Sequence, residues 1–111
     1  VTAISPFIGS LTATDFYQVL ETSDIPPGVI NILTGNQLDL APHASSHMDV
    51  NAVWSFSEEE ITKTIEFEAA KNIKRTWCLK NIDWFDTRAE GEMFLDAATE
   101  TKSVWIPYGE G

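Results

Sequence analysis

A single thiol, two histidines four residues apart and two groups of carboxylates are the side chains of this 111-residue chain best suited to chemistry. Cys78 lies in Thr76-Trp77-Cys78-Leu79. A nucleophilic thiolate needs a cation or a helix N-terminus nearby, and these neighbours offer neither, so Cys78 reads as a small core residue. His43 and His47, with Asp39 four residues earlier and Asp49 close by, have the spacing of a metal-binding helix face. Pro42 interrupts that register, and no metal site is expected. Asp83 and Asp86 flank Trp84-Phe85 without a partner acid or base and read as polar caps on an aromatic connector. Ser57-Glu58-Glu59-Glu60 stands at the start of a helix, where backbone N–H groups attract an anion. There Ser57 and Glu60 match a capping box, and three carboxylates repel any phosphate.

These residues are positioned by alternating helices and strands. Phe16, Val19 and Leu20 give one apolar face to a helix over Leu11 to Glu21. Asp24-Ile25-Pro26-Pro27-Gly28 breaks the chain before a buried strand, Val29 to Leu33, which ends at Gly35. A short helix is expected within Gln37 to Ser45, shortened by Pro42, then a strand at Ala52 to Phe56. The next helix opens with the capping box and carries Ile61, Ile65 and Ala69 as its stripe; a strand at Arg75 to Leu79 follows. The order implies right-handed parallel crossovers and a partial Rossmann-like α/β fold with one three-stranded parallel sheet and flanking helices. Residues 1–80 form this segment, and 81–111 hold an aromatic connector, a helix and a last strand. In the latter, Thr87 and Glu90 form a second capping box, with the helix running to Thr99 on an apolar side of Met93, Phe94 and Ala97. Ser103-Val104-Trp105-Ile106-Pro107 reads as an edge or oligomerisation strand, because Pro107 cannot donate to a ladder.

Composition excludes several classes of function. A net charge of −10 opposes nucleic acid, whose phosphates require clustered cations, and opposes an anionic membrane surface. No apolar run reaches the ~20 residues of a spanning helix. The opening Val1-Thr2-Ala3-Ile4-Ser5-Pro6 has no basic stretch of an export signal. The single cysteine excludes an internal disulfide and points to a reducing compartment, the cytoplasm. Of the four tryptophans, Trp54 and Trp77 are expected in the strand core. Trp84 and Trp105 lie outside the Rossmann-like part and suit a protein–protein surface or burial within the same chain.

Three blocks carry a resemblance to aldehyde dehydrogenases. Ile25-Pro26-Pro27-Gly28-Val29-Ile30-Asn31-Ile32-Leu33-Thr34-Gly35 is similar to the family's "LPPGVVNIVTG". Ser45-Ser46-His47-Met48-Asp49-Val50 resembles "SSHMDI", and Ala69-Ala70-Lys71-Asn72-Ile73-Lys74-Arg75 resembles "AAKNLKRV". Their mutual spacing is kept, over about residues 5 to 80. Ala98-Thr99-Glu100-Thr101-Lys102-Ser103-Val104 is similar to the "AYTEVKTV" that precedes the family's C-terminal oligomerisation strand. Asp83-Trp84-Phe85-Asp86 and the terminal Trp105-Ile106-Pro107-Tyr108-Gly109-Glu110 look most like family-16 aldehyde dehydrogenases, which carry a second, degenerate region.

The resemblance implies a thiolate nucleophile, a carboxylate base and bound NAD or NADP, and each is altered. The catalytic domain that supplies the nucleophile has no counterpart between the two resembling regions. The base of the family's "ELGG" falls on Leu79, with its glycines replaced by Asn81 and Ile82. The "KPSE" that meets the adenine ribose becomes Ile4-Ser5-Pro6-Phe7, and the phosphate-binding "GSTEVG" becomes Ser57-Glu58-Glu59-Glu60-Ile61-Thr62. The glycine-rich turn after Thr34-Gly35 becomes Asn36-Gln37-Leu38-Asp39. Ile4, Phe7, Ser57, Glu58 and Leu79 thus mark a degenerate site at which no cofactor is expected. The expectation is a non-catalytic structural or oligomerisation module, docked on an aldehyde dehydrogenase catalytic domain in cis or in trans. Trp84, Val104, Trp105 and Ile106 would form its interface in a homo- or hetero-oligomer. The alternatives are a portion of an active enzyme oxidising aldehydes to acids with NAD(P), or a free-standing dinucleotide-binding module.

Overall fold

The computed structural model describes residues 1–109, so Glu110 of the resemblance above lies outside the described residues. The chain divides into two units, Val1–Lys80 and Asn81–Gly111. In the first, β1 (Thr2–Pro6), α1 (Ser10–Glu21), β2 (Asn31–Gly35), α2 (Gln37–Ser46), β3 (Ala52–Ser55), α3 (Glu59–Ala70) and β4 (Arg75–Cys78) follow one another, with a 3-10 turn, Phe7–Gly9, ahead of α1. Two parallel pairs result. β1 pairs β2 with Thr2 opposite Asn31, and β3 pairs β4 with Trp54 opposite Trp77. Each pair is joined by a helix, so the segment is two successive βαβ motifs linked by α2.

The α/β class with parallel strands matches the sequence reading, but the single three-stranded sheet does not form. Two two-stranded sheets take its place. The reason lies in β1, a strand not expected from the sequence, and in how its sheet is closed. Asn31 N–H donates to the Val1 carbonyl at 2.9 Å. Successive residues of a strand alternate in direction, so Ile32 N–H points away from β1; there the Tyr17 hydroxyl accepts it at 2.8 Å. By the same alternation the Ile4 carbonyl points away from β2, and Gln37 Nε2 donates to it at 3.3 Å. Each outer edge of this sheet therefore has a backbone group engaged by a side chain, one of the devices that limit strand addition.

Local chemistry explains the shifted boundaries. β2 begins at Asn31 rather than Val29 because Val29 N–H closes a turn on the Pro26 carbonyl at 3.3 Å. Gly28, at φ +82°, supplies the left-handed position that a type II turn requires. α2 runs unbroken through Pro42. Asn36 caps its start by accepting from Leu38 N–H, and Ala41 and Ser45 are buried where α2 packs on α3. The core sits at that contact: Ala41, Ile65 and Ala69 are its buried apolar residues, with Ser45, Ser55 and Thr62 beside them. Trp54 and Trp77 do not join it. They make a T-shaped pair 4.9 Å apart on the β3–β4 sheet, with Phe56 5.9 Å from Trp77, and Trp54 is 37% exposed.

In the second unit the expected continuous helix from Thr87 is split. Asp86, not Thr87, caps the 3-10 turn Thr87–Glu90 by accepting from Arg88 N–H at 2.9 Å. Gly91 adopts an extended conformation, and α4 (Glu92–Ala98) begins after it. Trp84 lies 6.2 Å from Phe94 in a tilted ring contact. Ser103 to Pro107, expected as an edge strand, has no regular secondary structure. Val104, Trp105 and Ile106 are 78%, 93% and 75% exposed. Without a neighbouring strand to bond, an extended apolar run has no ladder to enter.

Candidate functional site

The positions that could have held a cofactor gather at strand ends and at the start of α3. Several of them are engaged by the chain's own contacts. Ile4 lies within β1 and Phe7 in the following 3-10 turn, where Phe7 is exposed. The turn after β2 carries Asn36 and Gln37. Asn36 caps α2, and Gln37 reaches the Ile4 carbonyl.

The start of α3 departs from the expected capping box. Its N-cap is Glu58, and no side chain caps the helix. The first helical bond runs from Thr62 N–H to the Glu58 carbonyl at 3.0 Å, which leaves Ser57 one residue too early to cap. A buried hydroxyl cluster holds the β3–α3 turn instead. Ser55 Oγ and Thr62 Oγ1 lie 3.4 Å apart, Ser57 N–H donates to Ser55 Oγ, and Thr62 Oγ1 donates to the Ser57 carbonyl.

The three carboxylates are not all uncompensated. Glu59 pairs with Lys63 at 2.8 Å and with Lys80, just past β4, at 3.2 Å. Those two ammonium groups, Lys63 foremost, hold the Glu59 carboxyl below its ordinary range. Lys63 stands four residues after Glu59, a helical pairing the sequence displays; Lys80 is brought in by the fold. The site thus spends its nearby cations on its own carboxylate, and Glu58 and Glu60 remain exposed around the helix start.

Leu79 N–H donates to the Ser55 carbonyl at 2.9 Å, and its side chain is half-buried. Beside it Cys78 is only half-buried, and burial pushes its thiol up. The Glu66 carboxylate on α3 adds to the shift through its charge and by accepting a hydrogen bond from the thiol. A raised thiol with a carboxylate partner is the reverse of an activated nucleophile. Glu66 in this role is not legible in the sequence, which offers no signal for a contact across twelve residues.

His43 and His47 do not share a helix face. Both are exposed, α2 ends at Ser46, and His47 is extended, with its Nδ1 accepting from Asp49 N–H at 3.2 Å. Among the described residues no three His, Cys, Asp or Glu side chains are grouped to hold a metal ion. Asp83 Oδ1 accepts from Phe85 N–H, and Asp86 pairs with Arg88 at 2.7 Å, which holds the Asp86 carboxyl low. Both act as local caps. No helix among the described residues is long and apolar enough to cross a membrane.

Two of the resembling blocks meet in space. Lys74 donates from Nζ to the carbonyls of His47 and Val50, and Asn72 Nδ2 donates to the Ser46 carbonyl at 3.1 Å. The residues after α3 thereby pin the loop after α2. The aldehyde dehydrogenase family model matches residues 8–79, more than half of the chain. The chain belongs to the aldehyde dehydrogenase family. "Aldehyde dehydrogenase, cytosolic 1" of Elephantulus edwardii is 39% identical over 66 residues, covering 59% of this chain and 13% of that protein. "Aldehyde dehydrogenase 1A1" of Bos taurus is 38% identical over a stretch of the same length, with the same coverage. The chain therefore spans about 13% of the length of these relatives. No solved structure is a significant match. Within the aldehyde dehydrogenase family, then, the resembling blocks of this chain join α2 to the segment after α3, while the turn after β2 is bonded to α2 and β1 and the start of α3 carries three carboxylates.

Proposed function

We infer that this chain is a non-catalytic aldehyde dehydrogenase module with a structural role in assembly. It would be part of a larger NAD-dependent aldehyde dehydrogenase, and its partner is the catalytic domain, in the same polypeptide or in another subunit. The observation that carries this reading is the start of α3. The register of the family's phosphate-binding turn holds Glu58, Glu59 and Glu60, and the nearby Lys63 and Lys80 are engaged by Glu59. Leu79 in the register of the base and the raised Cys78 thiol support it. The nearly bare Val104-Trp105-Ile106 segment, together with Trp84, supports an interface in that assembly, formed when the segment gains a strand partner. Its second, degenerate region makes family 16 the subgroup favoured by this reading.

One observation favours a different reading. The first N–H groups of α3 lack a side-chain cap, as an anion-binding helix start would. A dinucleotide-binding module, free-standing or within an active enzyme oxidising aldehydes with NAD(P), is therefore the second reading. The assembly reading is tested by the native mass of the species carrying this segment in its source cells, measured with an antibody to it under denaturing and native conditions. It predicts either a polypeptide well above the 12.4 kDa of this chain or a native complex with an aldehyde dehydrogenase subunit. A monomer of about that mass under native conditions would overturn it.

A further inference from the structure

The last turn of α3 ends on a conformation its residue types do not favour. Lys74 N–H returns to the Ala69 carbonyl at 3.2 Å. That bond spans six residues and needs a left-handed residue just before its donor, a place glycine usually fills. Here the residue is Ile73, at φ 54°. In this conformation Cβ crowds the following carbonyl, and a β-branched side chain tolerates it poorly. The Ile73 side chain is 95% exposed and gains almost no packing in return.

Its neighbours hold it there. Asn72 Nδ2 donates to the Ser46 carbonyl at 3.1 Å, and Lys74 Nζ donates to the carbonyls of His47 and Val50. The left-handed turn between them brings both side chains back onto the loop between α2 and β3. One residue on, Arg75 N–H donates to the Asn51 carbonyl at 3.2 Å and starts the β3–β4 pairing. A second penalty lies in the same three residues: Asn72 Oδ1 is buried and has no hydrogen-bond partner among the described residues. Strain persists only where surrounding bonds over-determine it, and such places recur in clamps and switch segments.

We propose that Asn72-Ile73-Lys74 is a sprung latch on the loop between α2 and β3, with a closed and an open position. Closed, it grips the carbonyls of Ser46, His47 and Val50. Open, Ile73 returns to negative φ, Asn72 Oδ1 meets water, and the three carbonyls are released together. Both penalties are relieved on opening, which brings the two positions close in free energy. The latch therefore opens while α2 and α3 stay folded. This step sits beside the first bond of the β3–β4 pair and sets how firmly α2 is tied to that pair. It stands apart from the assembly reading, which rests on the start of α3, on Cys78 and Leu79, and on residues beyond 80.

Amide hydrogen exchange of the full chain, uniformly labelled with ¹⁵N, reads the latch from both sides. Val50 N–H, bonded to the His47 carbonyl at 3.2 Å, reports the loop, and the amide of residue 74 reports the turn. Ile65, in the core of α3, reports global unfolding. The first two are expected to share one level of protection, below that of Ile65. Ile73→Gly relieves the left-handed cost and slows both together by about fivefold. Ile73→Ala, which removes the exposed side chain but keeps Cβ, slows them less. Lys74→Met opens the latch: both amides exchange faster, Ile65 stays protected, and residue 73 loses the strong NOE between its amide and α protons that marks positive φ. Unequal protection of the two amides, an Ile73→Gly effect that leaves Val50 unchanged, or an equal effect of Ile73→Ala overturns the proposal. So does a strong NOE at residue 73 that persists in Lys74→Met; if that variant loses the protection of Ile65, the two Ile73 variants decide alone.

Discussion

The two βαβ motifs share a topology and differ in what holds them. In the first, β1–α1–β2, no residue of either strand or of the helix is buried; the Tyr17 hydroxyl of α1 accepts from Ile32 N–H at the β2 edge, and Gln37 of α2 donates to the Ile4 carbonyl at the β1 edge. In the second, β3–α3–β4, α3 buries Thr62, Ile65 and Ala69, α2 adds Ala41 and Ser45, and Lys74 and Asn72 lash the preceding loop. The same strand–helix–strand order can therefore carry very different amounts of buried apolar surface, the main favourable term in folding. The second motif is the anchor, and the first leaves apolar side chains such as Leu11, Val19 and Leu33 exposed.

The comparison is broken most easily at Ile65, 5% exposed in the core. Ile65→Ala is expected to cost about 3 kcal/mol, whereas Val19→Ala on the outer ridge of α1 stays within about 0.5 kcal/mol. Urea denaturation of both variants checks this, and equal losses would erase the distinction between the motifs. Next is Lys74→Met, which removes a charged donor from the His47 and Val50 carbonyls. A loss of about 2 kcal/mol is expected, with faster amide hydrogen exchange confined first to the loop after α2. Tyr17→Phe is smaller, about 1 kcal/mol, and its signature is faster exchange at Ile32 alone. Protection persisting there would mean that another group takes the β2 edge. Ser45→Ala is expected to be the smallest. Ser45 is fully buried and its hydroxyl has no hydrogen-bond partner among the described residues, so the midpoint should hold or rise slightly; a clear loss would point to a bridging water.

The second motif is also the more legible one. Helical periodicity locates α3 through Ile61, Ile65 and Ala69, and β-rich runs place β3 and β4 within a residue of their ends. β1 escapes because Thr2 to Pro6 is short, ends in proline and reads as a site position, although Val1, Thr2 and Ile4 are all β-branched. Pairing is a long-range property, so nothing local to β1 or to Asn31–Gly35 announces their register. The capping boxes fail for the opposite reason. Ser57 and Thr87 have the right spacing, but a buried hydroxyl cluster and a better carboxylate acceptor, Asp86, move the caps by one residue. At the candidate site, residue identities such as Leu79 and Glu58–Glu60 can be read directly. The pairing of Glu59 with Lys80, and that of Cys78 with Glu66, arise only when β4 lies beside α3.

We propose that this chain binds no dinucleotide at the start of α3. This is tested most directly by titrating the full chain with NADH and with NADPH, following heat and tryptophan fluorescence together. The account predicts no saturation up to about 1 mM of either nucleotide. Saturable binding with a Kd below ~100 μM, weakened by changing Ser57, would contradict it and restore the α3 start as a working cofactor site.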